Sequence, residues 1–99
     1  MIRGTTPTLE FTLPFELLNI KRLWITFSQN NKEMFTVEKD ECEIKGSVIT
    51  LTLSQRQSLL LCSSTMVEIQ IRILTDKDES LASNIIKTPV QRILKDGVI

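Results

Sequence analysis

From Val67 to Ile73 every second residue is aliphatic and every residue between is polar. Successive side chains of a strand point to opposite faces, so this segment would have one apolar and one polar face. A helix would instead spread the same aliphatic residues around its axis. The segment is therefore predicted to be a β-strand with one face in a core.

Similar alternation through most of the chain predicts seven strands. Turn residues such as Asn30, Asn31 and Gly46 separate several of them, and Pro14 and Pro89 each end one. The predicted strands are Thr8–Leu13, Lys21–Ser28, Glu33–Glu38, Glu41–Lys45, Val48–Leu53, Met66–Thr75 and Ser80–Thr88. The segment 54–60 is expected to form one helical turn, because Ser54 and Gln57 have the spacing of a capping box.

Seven short strands in 99 residues predict an all-β protein, specifically a two-layer antiparallel immunoglobulin-like β-sandwich. A small barrel is the alternative architecture. The Cys…Trp…Cys spacing of antibody domains is missing, so a true antibody-type domain is not supported. We expect residues 1–89 to form the sandwich and residues 90–99 an extended C-terminal arm.

Charge and hydropathy narrow the classes of partner. Twelve basic and twelve acidic residues cancel, whereas a nucleic-acid-binding protein normally has a basic excess, so no nucleic-acid partner is expected. No apolar run is long enough to cross a bilayer, and the N-terminus lacks the apolar centre of a signal peptide. We therefore expect no membrane partner and a cytoplasmic site of folding, with Cys42 and Cys62 as buried free thiols.

The residue types for catalysis and cofactor binding are sparse. The chain has no histidine, which removes the commonest general base and metal ligand, and its three glycines form no phosphate loop. Acidic residues cluster at 40–43 and 76–79, where charged turns explain them better than calcium binding or a glycosidase pair. No catalytic, cofactor-binding or metal-binding residue is predicted, and the protein is expected not to be an enzyme.

Two features are candidates for an interaction surface. Trp24 falls on the outward face of its predicted strand, where it either anchors an interface or packs under a loop or the C-terminal arm of its own chain. The arm carries the apolar residues Ile93 and Leu94, which would be poorly placed in water, and the basic residues Arg92 and Lys95, which are suited to pairing with acids on a partner. It either docks on a neighbouring subunit or covers an edge of its own sheet.

Four segments in order along the chain carry a family resemblance: Gly4–Phe11, Ile44–Gln55, Val67–Arg72 and Leu81–Ile86. Together they resemble the small immunoglobulin-like domains of tailed-phage and prophage tail proteins, in particular the N-terminal domain of the phage baseplate upper protein. The closing Arg92–Gly97 resembles the ending of short prophage proteins of Gram-positive bacteria. In the baseplate family a helical, receptor-side region follows this domain, and the sequence shown here has none.

The resemblance implies a non-enzymatic virion structural or assembly protein, part of a tail or baseplate. Its expected partners are copies of itself, as a homo-oligomer, or other tail and baseplate subunits, in the virion or the host bacterial cytoplasm. It transfers no catalytic residues. The alternatives are a carbohydrate- or ligand-binding β-sandwich, in which Trp24 stacks on a sugar, and a small regulator of a host protein.

Overall fold

The computed structural model describes residues 1–99 and is built almost entirely from β-strands. One short α-helix and one 3₁₀ turn, Lys39–Glu41, complete its regular structure. The elements in chain order are β1 Thr8–Thr12, β2 Ile20–Gln29, β3 Lys32–Glu38, β4 Glu43–Lys45, β5 Val48–Thr52, α1 Gln55–Leu59, β6 Val67–Thr75, β7 Ser80–Ala82 and β8 Ile86–Thr88. The predicted all-β class is confirmed.

Two antiparallel sheets form the sandwich. The smaller sheet has the strand order β1-β5-β4, and the larger has β3-β2-β6-β7, with β8 also paired to β6. In the immunoglobulin order, β1, β5 and β4 take the places of strands B, E and D, and β3, β2, β6 and β7 those of C′, C, F and G. The strand that the immunoglobulin order calls A, which would pair with β1, has no counterpart among the strands.

The core lies between the sheets and follows the predicted alternation. Leu23, Ile25 and Phe27 of β2 are at most 1% exposed, while Trp24 between them is 37% exposed. Phe27 also stacks on Phe35 of β3, with 4.5 Å between the ring centroids. The other fully buried aliphatic residues include Val37, Ile49, Leu51, Leu53, Leu61, Val67 and Ile71. The predicted inward and outward faces of β2, β5 and β6 are confirmed.

The β2–β3 hairpin turns at the two asparagines expected there. Asn30 and Asn31 have φ angles of 51° and 60°, and Gln29 pairs with Lys32. A two-residue loop with both φ angles positive matches the right-handed twist of the adjoining strands, and asparagine tolerates this conformation.

The predicted single strand Ser80–Thr88 is wrong in its middle, because residues 83–85 separate β7 from β8. Ala82 pairs with Arg72, and Ile86 pairs with Ile69. The three residues 83–85 therefore lie opposite only two residues of β6, Gln70 and Ile71. Ser83 bonds to Ile71 of β6 at this interruption. Its N–H donates to the Ile71 carbonyl oxygen at 2.8 Å, and its Oγ accepts from the Ile71 N–H at 3.0 Å. The extra residue makes this a β-bulge.

The helical turn near 54–60 is confirmed as α1, with the predicted capping box. Ser54 Oγ accepts from the Gln57 N–H at 3.1 Å, and Gln57 Oε1 accepts from the Ser54 N–H at 2.9 Å. Neither helix of the structure has the length and apolar content needed to span a bilayer.

The two cysteines are free, but their burial differs from the prediction. Cys42 is half-buried, whereas Cys62 is exposed, so the predicted burial of Cys62 is wrong. Cys62 lies in the connection between α1 and β6, and its backbone bonds to the buried side chain of Gln29 instead of placing the thiol in the core.

Candidate functional site

Trp24 is the centre of a polar and aromatic cluster on the outer face of the larger sheet. It lies on β2, with Glu38 of β3 directly opposite on one side and Arg72 of β6 on the other. Arg22 precedes it by two positions and therefore projects from the same face. We call Arg22, Trp24, Glu38 and Arg72 the Trp24 cluster.

Hydrogen bonds hold one side of the cluster. The Glu38 carboxylate oxygen Oε1 accepts from Arg22 Nη2 at 2.9 Å and from the indole N–H of Trp24 at 3.3 Å. These bonds, led by the one from Arg22, lower the pKa of the Glu38 carboxyl below its ordinary value. The carboxylate is therefore ionised at neutral pH and fixes the orientation of the indole.

Two guanidinium groups lie over the indole ring. The central carbon of Arg22 is 5.0 Å from the ring centroid and that of Arg72 is 5.6 Å away. Both distances are within the range of cation–π attraction. Arg22 also pairs with Glu38, whereas the Arg72 side chain forms no hydrogen bond or ion pair.

Shallow depressions flank Trp24 on both sides. One, of about 140 Å³, lies toward β7 and is lined partly by Leu74 and Ser80. The other, of about 420 Å³, lies toward β3 and is lined by Thr26, Glu33 and Thr36 as well as the cluster. The indole thus stands between two hollows, an arrangement that can receive side chains of a partner surface on either side.

The C-terminal arm is a separate surface that contacts its own chain. Gln91 forms a parallel bridge with Ile2, and Val90 is buried. Farther along, Asp96 pairs with Arg3, and the N–H of Ile99 donates to Gln55 Oε1 at 2.7 Å. These contacts hold the arm against the N-terminal segment and α1, with no residue shared with the Trp24 cluster.

The remaining predicted interaction residues differ in exposure along the arm. Ile93 is partly buried beside Gly4 and Leu59, while Arg92, Leu94 and Lys95 are exposed, Leu94 at 94%. Gly4 has a φ angle of +81°, and a Cβ there would lie 2.7 Å from Ile93 Cδ1. Glycine at this position therefore allows the arm to pack closely. Docking of the arm on a second subunit stays a prediction.

The sequence prediction included Trp24 but missed the two arginines and Glu38. Arg22 could have been identified from the alternation, since it lies two residues before Trp24 on the same strand and therefore on the same face. Glu38 and Arg72 are 14 and 48 positions away, and only the strand register brings them beside the indole. No three or more Cys, Asp or Glu side chains converge in an arrangement that could hold a metal ion.

Comparison with known proteins adds no relative to this description. No protein-family model matches the chain. No curated protein and no solved structure matches it either.

Proposed function

We propose that this protein is a non-enzymatic structural or assembly component of a phage or prophage virion, of the tail or baseplate type, and that it acts by protein contact through the Trp24 cluster. The phage setting comes from the sequence resemblance. The contact mechanism has a separate basis in the exposed, hydrogen-bonded indole with two arginines over it. Tryptophan and arginine are the residues most enriched among those that dominate binding energy at protein interfaces.

The geometry of the cluster supports a protein partner because the indole is already ordered. Its N–H is bonded to Glu38, and its ring lies against Arg22 and Arg72. A side chain held in its bound orientation loses little conformational entropy on association. The Arg72 guanidinium, which forms no ion pair within the protein, favours a partner surface that places a carboxylate beside it.

A carbohydrate-binding role also uses an exposed tryptophan, but it needs an open ring face. Here both arginines lie over the indole, and one of them is fixed by an ion pair with Glu38. A sugar stacked on the ring would compete with these two cation–π contacts, which favours a protein contact over sugar stacking. Titration of Trp24 fluorescence with cell-wall glycans distinguishes the two, since the proposal expects no saturable change.

The proposal is tested by inducing a prophage that encodes this chain and analysing purified particles by mass spectrometry. We expect the protein in intact tails at a fixed ratio to a known tail subunit. Its absence from particles, combined with co-purification on a host protein, would instead support the host-regulator alternative.

Complementation tests the surface itself. In a host lacking the gene, a Trp24→Ala variant is expected to fold but to restore few complete tails. A Met66→Ala variant is the matched control, because Met66 is another large exposed apolar residue, at 46% exposure, outside the cluster. Full restoration by both variants would exclude the Trp24 cluster as the contact surface.

A further inference from the structure

Strand β1 has an unpaired edge. It pairs with β5 alone. The bonds from Leu13 N–H to Ser47 O and from Leu53 N–H to Pro7 O show which residues of β1 direct their backbone groups toward β5. Odd-numbered residues of β1 therefore bond to β5, while the backbone N–H and C=O groups of the even-numbered residues point away from it. The outward-directed residues are Thr8, Glu10 and Thr12. None of their backbone groups has another partner in the protein.

An apolar groove runs beside this edge. It has a volume of about 360 Å³ and lies between β1 with its following loop and the β7–β8 bulge. Phe11, Leu13 and Phe15 line one wall, and Ala82 and Ile86 line the other. Ile86 is 42% exposed and its neighbour Ile85 is 53% exposed. The open edge thus supplies hydrogen-bonding groups and the groove supplies apolar surface.

The strand order explains why the groove exists. In an immunoglobulin sandwich the first strand pairs with strand B, whose place is taken here by β1. No strand of the structure takes the place of that first strand, so the side that it would cover is open.

The other sheet edges are guarded. Strand β3 carries charges at both ends, with Lys32 and Glu33 at one end and Glu38 at the other. Strand β4 has only three residues, two of them charged, and β7–β8 is interrupted by the bulge. Charge, shortness and bulges are the usual devices that prevent edge pairing.

From these features we infer that β1 and its groove bind an extended segment of another protein, which adds to the smaller sheet as the missing strand. Alternate residues of this segment are apolar and face the groove, and a lysine or arginine lies opposite Glu10, the only charge on β1. Main-chain bonds provide the affinity in this recognition mode, and the alternate side chains provide specificity.

Glu10 also disfavours a second copy of the chain as the occupant. A two-fold pairing of two β1 strands that matches Thr8 with Thr12 places the two Glu10 carboxylates opposite each other. Like charges directly across a strand pair are destabilising. This surface is independent of the Trp24 cluster, so its failure would leave the proposed function untouched.

The test uses the full chain and a blocked seven-residue peptide, Val-Thr-Val-Lys-Val-Thr-Val, with amide hydrogen exchange measured by NMR. In the free protein the amides of Thr8, Glu10 and Thr12 should exchange rapidly. Saturating peptide should slow exchange at these three amides while leaving β3 unaffected. The same peptide N-methylated at its lysine and both threonines should give no protection, because the residues opposite Thr8, Glu10 and Thr12 carry the main-chain donors that an antiparallel strand directs toward β1.

Charge reversal tests the role of Glu10. Replacing the central lysine of the peptide by glutamate should weaken binding about three- to tenfold, as expected when an attractive cross-strand pair becomes repulsive. Glu10→Lys should invert this preference. Glu43→Lys is the matched control: both glutamates pair with Thr50, Glu10 from β1 and Glu43 from β4 at the opposite edge, so the control should leave the preference unchanged.

Three results would overturn the inference. The first is unchanged exchange of Thr8, Glu10 and Thr12 at every concentration at which the peptide stays monomeric. The second is protection that appears at β3 instead. The third is protection of these amides without peptide that rises with protein concentration, which would identify a second copy as the occupant.

Discussion

The indole N–H of Trp24 donates a hydrogen bond to the carboxylate of Glu38, across neighbouring strands, at 3.3 Å. The same carboxylate oxygen accepts from Arg22. The ionisation state of one exposed acid is thereby connected to the orientation of the only tryptophan. Titration of Glu38 should consequently be visible in the fluorescence of the protein.

We expect Glu38 to titrate below pH 4.5. Its folded-state pKa is lowered from the ordinary value of 4.5, first by the Arg22 hydrogen bond and then by that of Trp24. Any stabilisation from this carboxylate is therefore complete above pH 4.5 and is lost as the pH falls through the lowered pKa. The pKa is measured from the Glu38 side-chain carbon shift, and tryptophan emission should change with the same midpoint.

Substituting Arg22 or Trp24 shows how much the hydrogen bond from each donor lowers the pKa of Glu38. Arg22→Gln should raise it most, and Trp24→Phe should raise it less, because the bond from Arg22 is the larger cause. The Trp24→Phe variant has no tryptophan, so both variants are compared through the Glu38 side-chain carbon shift; a midpoint that is unchanged in both would mean that these two hydrogen bonds do not set the pKa.

Ile71→Asp should unfold the protein or cost about 4 kcal/mol or more, because Ile71 is fully buried and an aspartate there would be an unpaired buried charge. Gln70→Asp, one position along β6, should cost only about 1 kcal/mol through loss of the bond from Gln70 Nε2 to the Ser83 carbonyl. Urea unfolding followed by circular dichroism measures both. Equal damage from the two substitutions would contradict the side-chain facing of β6.

Gln29 is a buried polar side chain that ties β2 to the connection after α1. It is 3% exposed, its Nε2 donates to the carbonyls of Cys62 and Thr65, and its Oε1 accepts from the Cys62 N–H. Gln29→Leu should cost about 2–4 kcal/mol of unfolding free energy, because it leaves these backbone groups without partners. Gln91→Leu is the control, since the Gln91 side chain is exposed and makes no hydrogen bond; comparable losses in urea would argue against this role of Gln29.

The two thiols should differ in reactivity. Burial, followed by the nearby carboxylates of Glu41 and Asp40, raises the pKa of Cys42 to about 11. Since the thiolate is the reactive form, iodoacetamide at pH 8 should modify the exposed Cys62 well before Cys42. Mass spectrometry of digested samples measures this, and the difference should vanish in urea; equal rates in the folded protein would refute it.

Arg3 is expected to anchor both terminal segments. Its Nε and Nη2 donate to the carbonyls of Leu61 and Leu59 at 2.9 and 2.8 Å, and Nη1 pairs with Asp96. Arg3→Ala should cost about 2–3 kcal/mol because the carbonyls lose charged donors, whereas Asp96→Ala removes an exposed partner and should cost under about 1 kcal/mol. Urea unfolding of the two variants gives the comparison, and the reverse ranking would show that the ion pair dominates.

The fold could be predicted because one sheet face is buried and the other is not. In β2, β5 and β6 that difference imposes alternation on the sequence, and the aliphatic residues of the alternation, such as Leu23, Ile49 and Ile71, are at most 1% exposed. The bulge at Ser83 was missed because one extra residue shifts the alternation by one position. The consecutive Ile85 and Ile86 were the available sign of that shift.

The candidate site was less accessible to sequence reasoning. Trp24 stood out as an outward aromatic residue, but Arg72 becomes its neighbour only through the β2–β6 register. Arg3 gave no signal at all, since its partners are 56 to 93 positions away along the chain. Pairwise contacts at such separation depend on the whole topology rather than on local pattern.

Strand β1 is the one unguarded edge of the two sheets, which limits how copies of this protein can associate through their backbones. Continuous fibrils require two receptive sides on every molecule, so that each added unit exposes a fresh template. Here only the edge of β1 can accept another strand, and once that edge is paired the protein has no further unguarded edge. Edge-mediated association should accordingly stop after a single addition, which yields discrete complexes and protects a concentrated solution from open-ended polymerisation.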